Sequence, residues 1–320
     1  MFSSLVRPIV HLFNFNKLVK SAERGDIDMQ YKLGSMYLLG SYVQQDFQHA
    51  LYWFLKAAEL GHVEAQASLG EMYEYGQGTP VNLEKAFYWY QKSAAQGDAL
   101  AQNALGWMYE KGNGITQNLT EATHWYHRSA TQGNPDAQYN LGVMYDFGKG
   151  IKQDYHEALV WYHKSAEQGF APAQAALGML YSEGFGVIKD TEEAIKWYQK
   201  AAEKGYLPAQ TWMGDLYERK KNPYLAISWY HKAARKGEPV ALTNLGLMFG
   251  LGQNLPKDLI IAYVLLTQAI HGGNEMAQEI RDTIRKEMND FQIHEATELM
   301  EEEEKLWHRI EGFISELPIE

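Results

Sequence analysis

Residues 65–97 read AQASLGEMYEYGQGTPVNLEKAFYWYQKSAAQG, and this stretch decides the fold because it returns. In steps of 36 residues Met29 gives way to Ala65, Ala101, Ala137 and Ala173. Trp53, Trp89, Trp125, Trp161 and Trp197 keep the same step. Seven copies are written in all, five of them at that spacing. A fixed period of this length marks a solenoid, in which one supersecondary unit stacks on copies of itself.

Within the unit, Ala65, Leu69, Met72 and Tyr73 recur at helical spacing, which predicts a first helix from about Ala65 to Tyr75. A glycine sits inside that helix in every copy: Gly34, Gly70, Gly106, Gly142, Gly178, Gly214 and Gly246. Each costs about 1 kcal/mol against alanine, so its recurrence points to a contact that needs the missing side chain. Gly76 and Gly78, repeated as Gly112 and Gly114, Gly148 and Gly150, and Gly184 and Gly186, predict a turn with positive φ. A phosphate-cradling role for this loop is disfavoured, because no strand precedes it and no Lys-Ser/Thr follows.

The second helix has a marked start. Asp46, Asn82, Asn118, Asp154, Asp190, Asn222 and Asp258 share one place and suit an N-cap. Glu121, Glu157 and Glu193, three residues on, predict capping boxes. Pro223 follows Asn222 at the first helical position, where proline fits. Ala86, Trp89, Tyr90 and Ala94 then form the apolar stripe, and Gly97 stops the helix, as Gly25, Gly61, Gly133, Gly169, Gly205 and Gly237 do elsewhere.

Two copies depart from the pattern. Ala209 and Ala241 are separated by 32 residues, because Glu218-Arg219-Lys220-Lys221 replaces the glycine turn. In the last copy Leu265-Leu266 replaces Trp-Tyr. The expected organisation is a leading cap over 1–24, a repeat array over 25–276, and capping helices with an acidic tail over 277–320. Lys17–Arg24 reads as the second helix of an incomplete leading copy, and Arg281–Asn289, His294–Glu304 and Lys305–Ile314 read as C-terminal caps. The apolar face Leu306, Trp307, Ile310, Phe313 and Ile314 suits either a cap or a pairing of two chains.

The 320 residues are 46% hydrophobic, enough for a large core, and carry a net charge of −11. Nine Glu against Lys305 and Arg309 place −7 of that in residues 295–320, so the repeats are only mildly acidic. Nucleic acid is not the expected partner, since phosphate binding needs clustered Lys and Arg. The absence of cysteine excludes disulfides and thiolate metal sites. Arg7, Pro8, His11 and Asn14 interrupt the apolar run of residues 1–15, and the longest stretch without charge before its last residue, Leu259–Glu275, is too short and mixed to span a bilayer. The expected location is the cytoplasm; export is the alternative if residues 1–15 act as a signal.

Leu-Gly-x-Met-Tyr, the Gly-x-Gly loop, the Asp/Asn cap and Trp-Tyr-x-Lys-Ser/Ala-Ala together resemble the Sel1-like repeats, relatives of the tetratricopeptide repeats. The resemblance covers about residues 25–276. It implies an all-α, right-handed superhelical solenoid of about seven helix pairs, capped at both ends. It also implies an adaptor or scaffold role without catalysis or cofactor.

In such a stack the first helices line a concave surface. Tyr31, Trp107, Tyr139, Phe147 and Trp212 fall on that side outside the shared core, where aromatics serve as anchors for a partner protein. The plainer reading is that they fill gaps between helices. Glu74, Glu110, Asp146 and Glu218 share a position, with Glu71 and Asp215 a turn earlier. Such a stripe would steer a basic or amphipathic segment; the plainer reading is a solvated face. His127, His163 and His231 also share a position, but neighbouring copies lie about 10 Å apart by ordinary helix packing, so no metal site is expected. No nucleophile, base and orienter stand out as a set, and hydrolysis is the least expected activity.

Overall fold

The computed structural model describes residues 15–318. Readings of residues 1–14 lie outside them. The described elements are all helices. They divide between two compact units that meet in sequence at Gln168 and Gly169.

In the first unit residues 15–23 are helical and four helix pairs follow. These are α1 (Ile27–Leu39) with α2 (Phe47–Glu59), α3 (Val63–Tyr75) with α4 (Leu83–Ala95), α5 (Ala99–Lys111) with α6 (Leu119–Thr131), and α7 (Pro135–Phe147) with α8 (Tyr155–Glu167). The second unit holds α9 (Ala171–Glu183) with α10 (Thr191–Glu203), α11 (Leu207–Arg219) with α12 (Pro223–Ala234), and α13 (Pro239–Leu251) with α14 (Leu259–His271). It closes with α15 (Ala277–Glu287), α16 (Asp290–Glu301) and α17 (Glu303–Ser315).

The helical glycine is explained by its partner ring. A Cβ on Gly70, Gly106, Gly142, Gly178 or Gly214 would lie 2.4–2.6 Å from a ring carbon of Tyr90, Tyr126, Tyr162, Tyr198 or Tyr230. Gly34 meets Phe54 in the same way. The second helix thus lays an aromatic ring flat on the bare backbone of the first, and dispersion over that contact outweighs the propensity cost.

All seven expected N-caps accept backbone N–H bonds in their first turns. The expected capping boxes are corrected: Glu121, Glu157 and Glu193 donate their N–H to the cap but do not reach back, and Glu193 pairs with Lys196. A complete box forms instead at Asn289 and Gln292. In the loop, Gly78 is needed twice over. Its φ is 70°, and a Cβ there would lie 2.4 Å from the carbonyl oxygen of Phe47, at the start of the preceding second helix. In the shortened copy Lys221 takes φ 57° and closes the turn unaided. Lys220 and Arg219 then bond Glu192 and Glu183 of the preceding repeat at 2.5 and 2.6 Å.

Repeats are also joined by polar groups that apolar periodicity does not reveal. Gln66, Gln102 and Gln138 are buried, and each amide donates to a carbonyl eight residues back, on Ala58, Ala94 or Ala130. Their own oxygens accept from Gln96, Gln132 and Gln168 at 2.7–2.8 Å. Ser93, Ser129 and Ser165 donate to carbonyls thirty residues back. Where Leu60 and Lys236 replace that glutamine, the buried Gln30 and Gln210 oxygens go unpaired. The recurrent Trp-x-x-Lys places Lys164, Lys200 and Lys232 over the rings of Trp161, Trp197 and Trp229 at 3.9–4.2 Å, an i,i+3 cation–π contact.

The C-terminal apolar face is a cap within the second unit. Leu306, Trp307 and Ile310 are buried there, with Phe313 and Ile314 packed alongside. Trp307 meets His231 edge to face, and Arg309 bridges Asp258 and Glu295 at 2.6 and 2.7 Å. The cap boundaries differ from expectation: the first of these helices begins at Ala277, and the second ends at Glu301.

Candidate partner-binding groove

The first helices α1, α3 and α5 carry an open groove within the first unit. One hollow of about 390 Å³ is lined by residues including Tyr31, Glu64, Glu71, Asp98 and Leu100. A second of about 440 Å³ is lined by residues including Glu71, Glu74, Tyr75, Asn103 and Trp107. The two share Glu71, Tyr90 and Ala104 and form one channel. Small residues Ala67 and Ala104 keep its floor low. Leu100, Tyr75 and Trp107 are 67%, 63% and 36% exposed along it. Of the expected site residues, Tyr31, Glu71, Glu74 and Trp107 are therefore brought together.

The acidic row has a structural task that its spacing does not disclose. Tyr90 donates to Glu74 at 2.7 Å, Tyr126 to Glu110 at 2.9 Å, and Tyr162 to Asp146 at 3.1 Å. Tyr230 donates to Asp215 at 2.6 Å and to Glu218 at 3.0 Å. These are the same tyrosines that lie on the helical glycines. Burial, reinforced by the adjoining carboxylate charge, pushes each of the four phenols far up, so they stay protonated donors. The carboxylates sit at different depths. Asp146 is only 4% exposed, which corrects its expected place on an open stripe. Glu110 is paired with Lys111 at 3.0 Å and Lys149 at 3.9 Å, so its charge is spent within the chain. Glu71 is exposed. Glu74 is held above the ordinary glutamate range, first by burial and further by Glu71, with the Tyr90 bond opposing.

Asp146 offers a test of this electrostatic reading. Burial raises its pKa above the ordinary aspartate value of 3.8, against the Tyr162 hydrogen bond. A raised native pKa means the native state binds more protons between the two values, so stability falls as pH rises through that window. Asp146→Asn keeps an acceptor for Tyr162 and removes the buried charge. It should match or exceed the wild type in thermal stability near pH 7, with the advantage shrinking towards about pH 4. A variant that is less stable at neutral pH, by a margin growing with pH, would show the carboxylate to be net stabilising.

The aromatic candidates separate likewise. Tyr31 stacks on His62 at 4.5 Å and lines the groove. Tyr139 is half-buried against Tyr162, 5.7 Å between centroids. Phe147 is exposed, with Lys149 over its ring. Trp212 is half-buried between Tyr198 and Tyr206, in a hollow of the second unit that also holds Glu183, Asp215 and Arg219. His127 packs against the Trp161 ring at 5.8 Å. Glu64, Asp98 and Leu100 join the groove beyond the outward first-helix positions 67, 68, 71, 74 and 75 that the repeat pattern offers, the last of which is Tyr75. Those positions continue one turn upstream to 64, the register place that Leu100 shares, so that signal is present in the pattern. No described helix is long and apolar enough to cross a membrane.

The Sel1 repeat matches this chain seven times, over residues 27–62, 63–98, 99–134, 135–170, 171–206, 207–238 and 239–274. The sixth match is the shortened copy. A Sel1 repeat protein from Oxalobacter formigenes is similar at 33% identity and TM-score 0.67, over 83% of this chain and 78% of that one. A protective antigen of uropathogenic Escherichia coli with the same repeat fold is similar at 26% identity and TM-score 0.59, over 95% of this chain and 82% of that one. No curated protein matches. Sel1 repeat solenoids are generally protein-interaction scaffolds and typically not enzymes. With glycine-on-tyrosine packing, capped second helices and matches over residues 27–274, the chain belongs to the Sel1 repeat family.

Proposed function

We propose that the protein is an adaptor that binds a peptide or helical segment of another protein along the first-helix groove of residues 27–111. The observation that carries this is the groove between α1, α3 and α5, where exposed Trp107, Tyr75 and Leu100 stand beside Glu64, Glu71, Glu74 and Asp98 with no lysine or arginine in its lining. Apolar anchors supply affinity and the unmatched negative charge steers a basic or amphipathic segment. The companion hollow around Trp212 has its own cation in Arg219, and Glu110 has Lys111 and Lys149, which favours the first unit as the docking face.

The test is a combined Trp107→Ala and Glu71→Lys variant. Both side chains are solvent-facing, so helicity should be retained while affinity for a bound partner falls by about 1–3 kcal/mol, or roughly 5- to 150-fold. Capture equal to wild type would remove the groove from consideration.

The likeness to a protective antigen supports a second reading, an exported factor at a cell envelope or host surface, as the alternative to the cytoplasmic location. Mass determination of the mature chain separates them: removal of an N-terminal segment supports export, and an intact Met1 supports the cytoplasm.

A further inference from the structure

Asparagine is among the thermally labile residues, and its lifetime depends on whether its side-chain carbonyl and the next backbone N–H are free to meet. Ten asparagines lie in the repeats over residues 27–274. Eight are tied down by side-chain hydrogen bonds, as helix caps or to a side chain of another helix. Asn113 and Asn254 have no such bond among the described residues. Asn254 is followed by Leu255, whose branched, buried side chain crowds the approach to its own nitrogen. Asn113 is followed by Gly114, the only Asn-Gly step in the chain.

The third copy holds this step in a half-buried turn between α5 and α6. Gly112 and Gly114 take φ 74° and 71°. The Asn113 N–H donates to the Met108 carbonyl at 3.0 Å, which fixes the residue from its N-terminal side. The Gly114 N–H donates to no backbone carbonyl among the described residues. Gly114 itself cannot be exchanged, since a Cβ there would lie 2.4 Å from the Leu83 carbonyl oxygen. The packing that demands glycine at 114 therefore also leaves its nitrogen unshielded. The residue before it is free to vary: the same place holds Ser41, Gln77, Lys149 and Phe185 in other copies.

We infer that Asn113 is a site of spontaneous deamidation through a cyclic imide closed by Gly114. The Gly114 nitrogen gives its proton to solvent and bonds the Asn113 side-chain carbonyl carbon. The bond from that carbon to the amide nitrogen breaks, and the nitrogen leaves as ammonia with a solvent proton. Water then opens the ring at either carbonyl and yields aspartate or isoaspartate. One water is consumed, one ammonia is released, and nothing is oxidised or reduced. Isoaspartate adds a methylene to the backbone between the Met108 anchor and the Leu83 contact, so that product cannot keep both and the turn loosens.

The experiment ages the full, folded chain in warm buffer at neutral and mildly alkaline pH, with a parallel sample unfolded in urea. Peptide mapping under mildly acidic digestion reads each asparagine, an isoaspartate methyltransferase assay reads the isomer, and released ammonia is titrated. In the folded chain the Asn113 peptide should lose its amide while the other asparagine peptides keep theirs. Isoaspartate should accompany aspartate, and the loss should quicken with pH because the nitrogen must shed its proton. Asn113→Gln, which borrows the residue of the second copy, should fold as wild type and release no ammonia above background. Aged wild type should then melt below identically aged Asn113→Gln, and equal melting with isoaspartate present would overturn the loosening of the turn. Conversion confined to the urea sample, or absent from both, overturns the inference. So does aspartate without isoaspartate, equal loss at any other asparagine, or ammonia release that persists in Asn113→Gln.

Discussion

Leu141→Ala should lower stability by about 2–5 kcal/mol, the range for emptying a fully enclosed leucine site, and should divide a cooperative unfolding curve into two. Leu141 is fully buried, with Met144, Tyr126, Ala137 and Trp161 in the same cluster. That cluster joins α6, α7 and α8, so the cavity weakens the fourth helix pair and its junction with the third together. Stability in a stack is the sum of each unit and its nearest-neighbour junctions. Repeats N-terminal to the lesion therefore retain their own packing when the fourth is lost. Denaturant melts followed by far-ultraviolet circular dichroism would show an early partial transition, then a later one near the wild-type midpoint. A single transition with an unchanged midpoint would contradict neighbour-limited cooperativity.

Gly106→Val should be the most damaging single change in a first helix, because backbone and ring are already in contact. A Cβ there would lie 2.4, 2.6 and 2.9 Å from Cδ1, Cε1 and Cγ of Tyr126. That ring is fully buried, and its hydroxyl is held by Glu110, so it cannot swing aside. Even Gly106→Ala sets about 1 kcal/mol of helix propensity gained against overpacking of about 1–3 kcal/mol, and the loss prevails. Valine adds two methyl groups to the clash and should exceed that range. The mechanism has two checks in thermal or denaturant melts. Tyr126→Ala in the Gly106→Val background should cost less than the sum of the two changes, since the ring that clashes is gone. Gly246→Ala should be milder than Gly106→Ala, because its nearest neighbour, Leu266 Cγ, stands at 3.1 Å and not at 2.4 Å, and no aromatic ring lies on it. Equal losses at Gly106 and Gly246 would mean that the aromatic partner is not the reason for the glycine.

The Gly246 comparison also shows how much was legible in advance. Seven helical glycines were visible as an anomaly of propensity, and a close contact followed from that cost. The identity of the contact did not follow, because Tyr126 lies twenty residues away from Gly106 and only the folded pair brings them together. The N-caps were legible because their partners are two or three residues distant. The capping boxes were not, because whether Glu193 turns back to the cap or forward to Lys196 is a choice between rotamers of similar local energy.

For the site, periodicity was enough to list the outward positions of each first helix but not to rank them. Glu74, Glu110 and Asp146 occupy one register position, so the pattern treats them alike. The fold does not: Asp146 is enclosed, Glu110 meets Lys149 from the next repeat's loop, and Glu74 opens on a hollow.

The local, repeated terms of this protein were therefore written in its sequence: helix pairs of fixed length, their caps, their turns and the small residues at their crossings, all of which act over a few residues and recur each 36 positions. Tertiary structure alone decided which acidic groups are spent on tyrosines and lysines and which are left open beside Trp107. That outcome depends on side chains thirty or more residues apart meeting across a repeat boundary, as Lys149 meets Glu110.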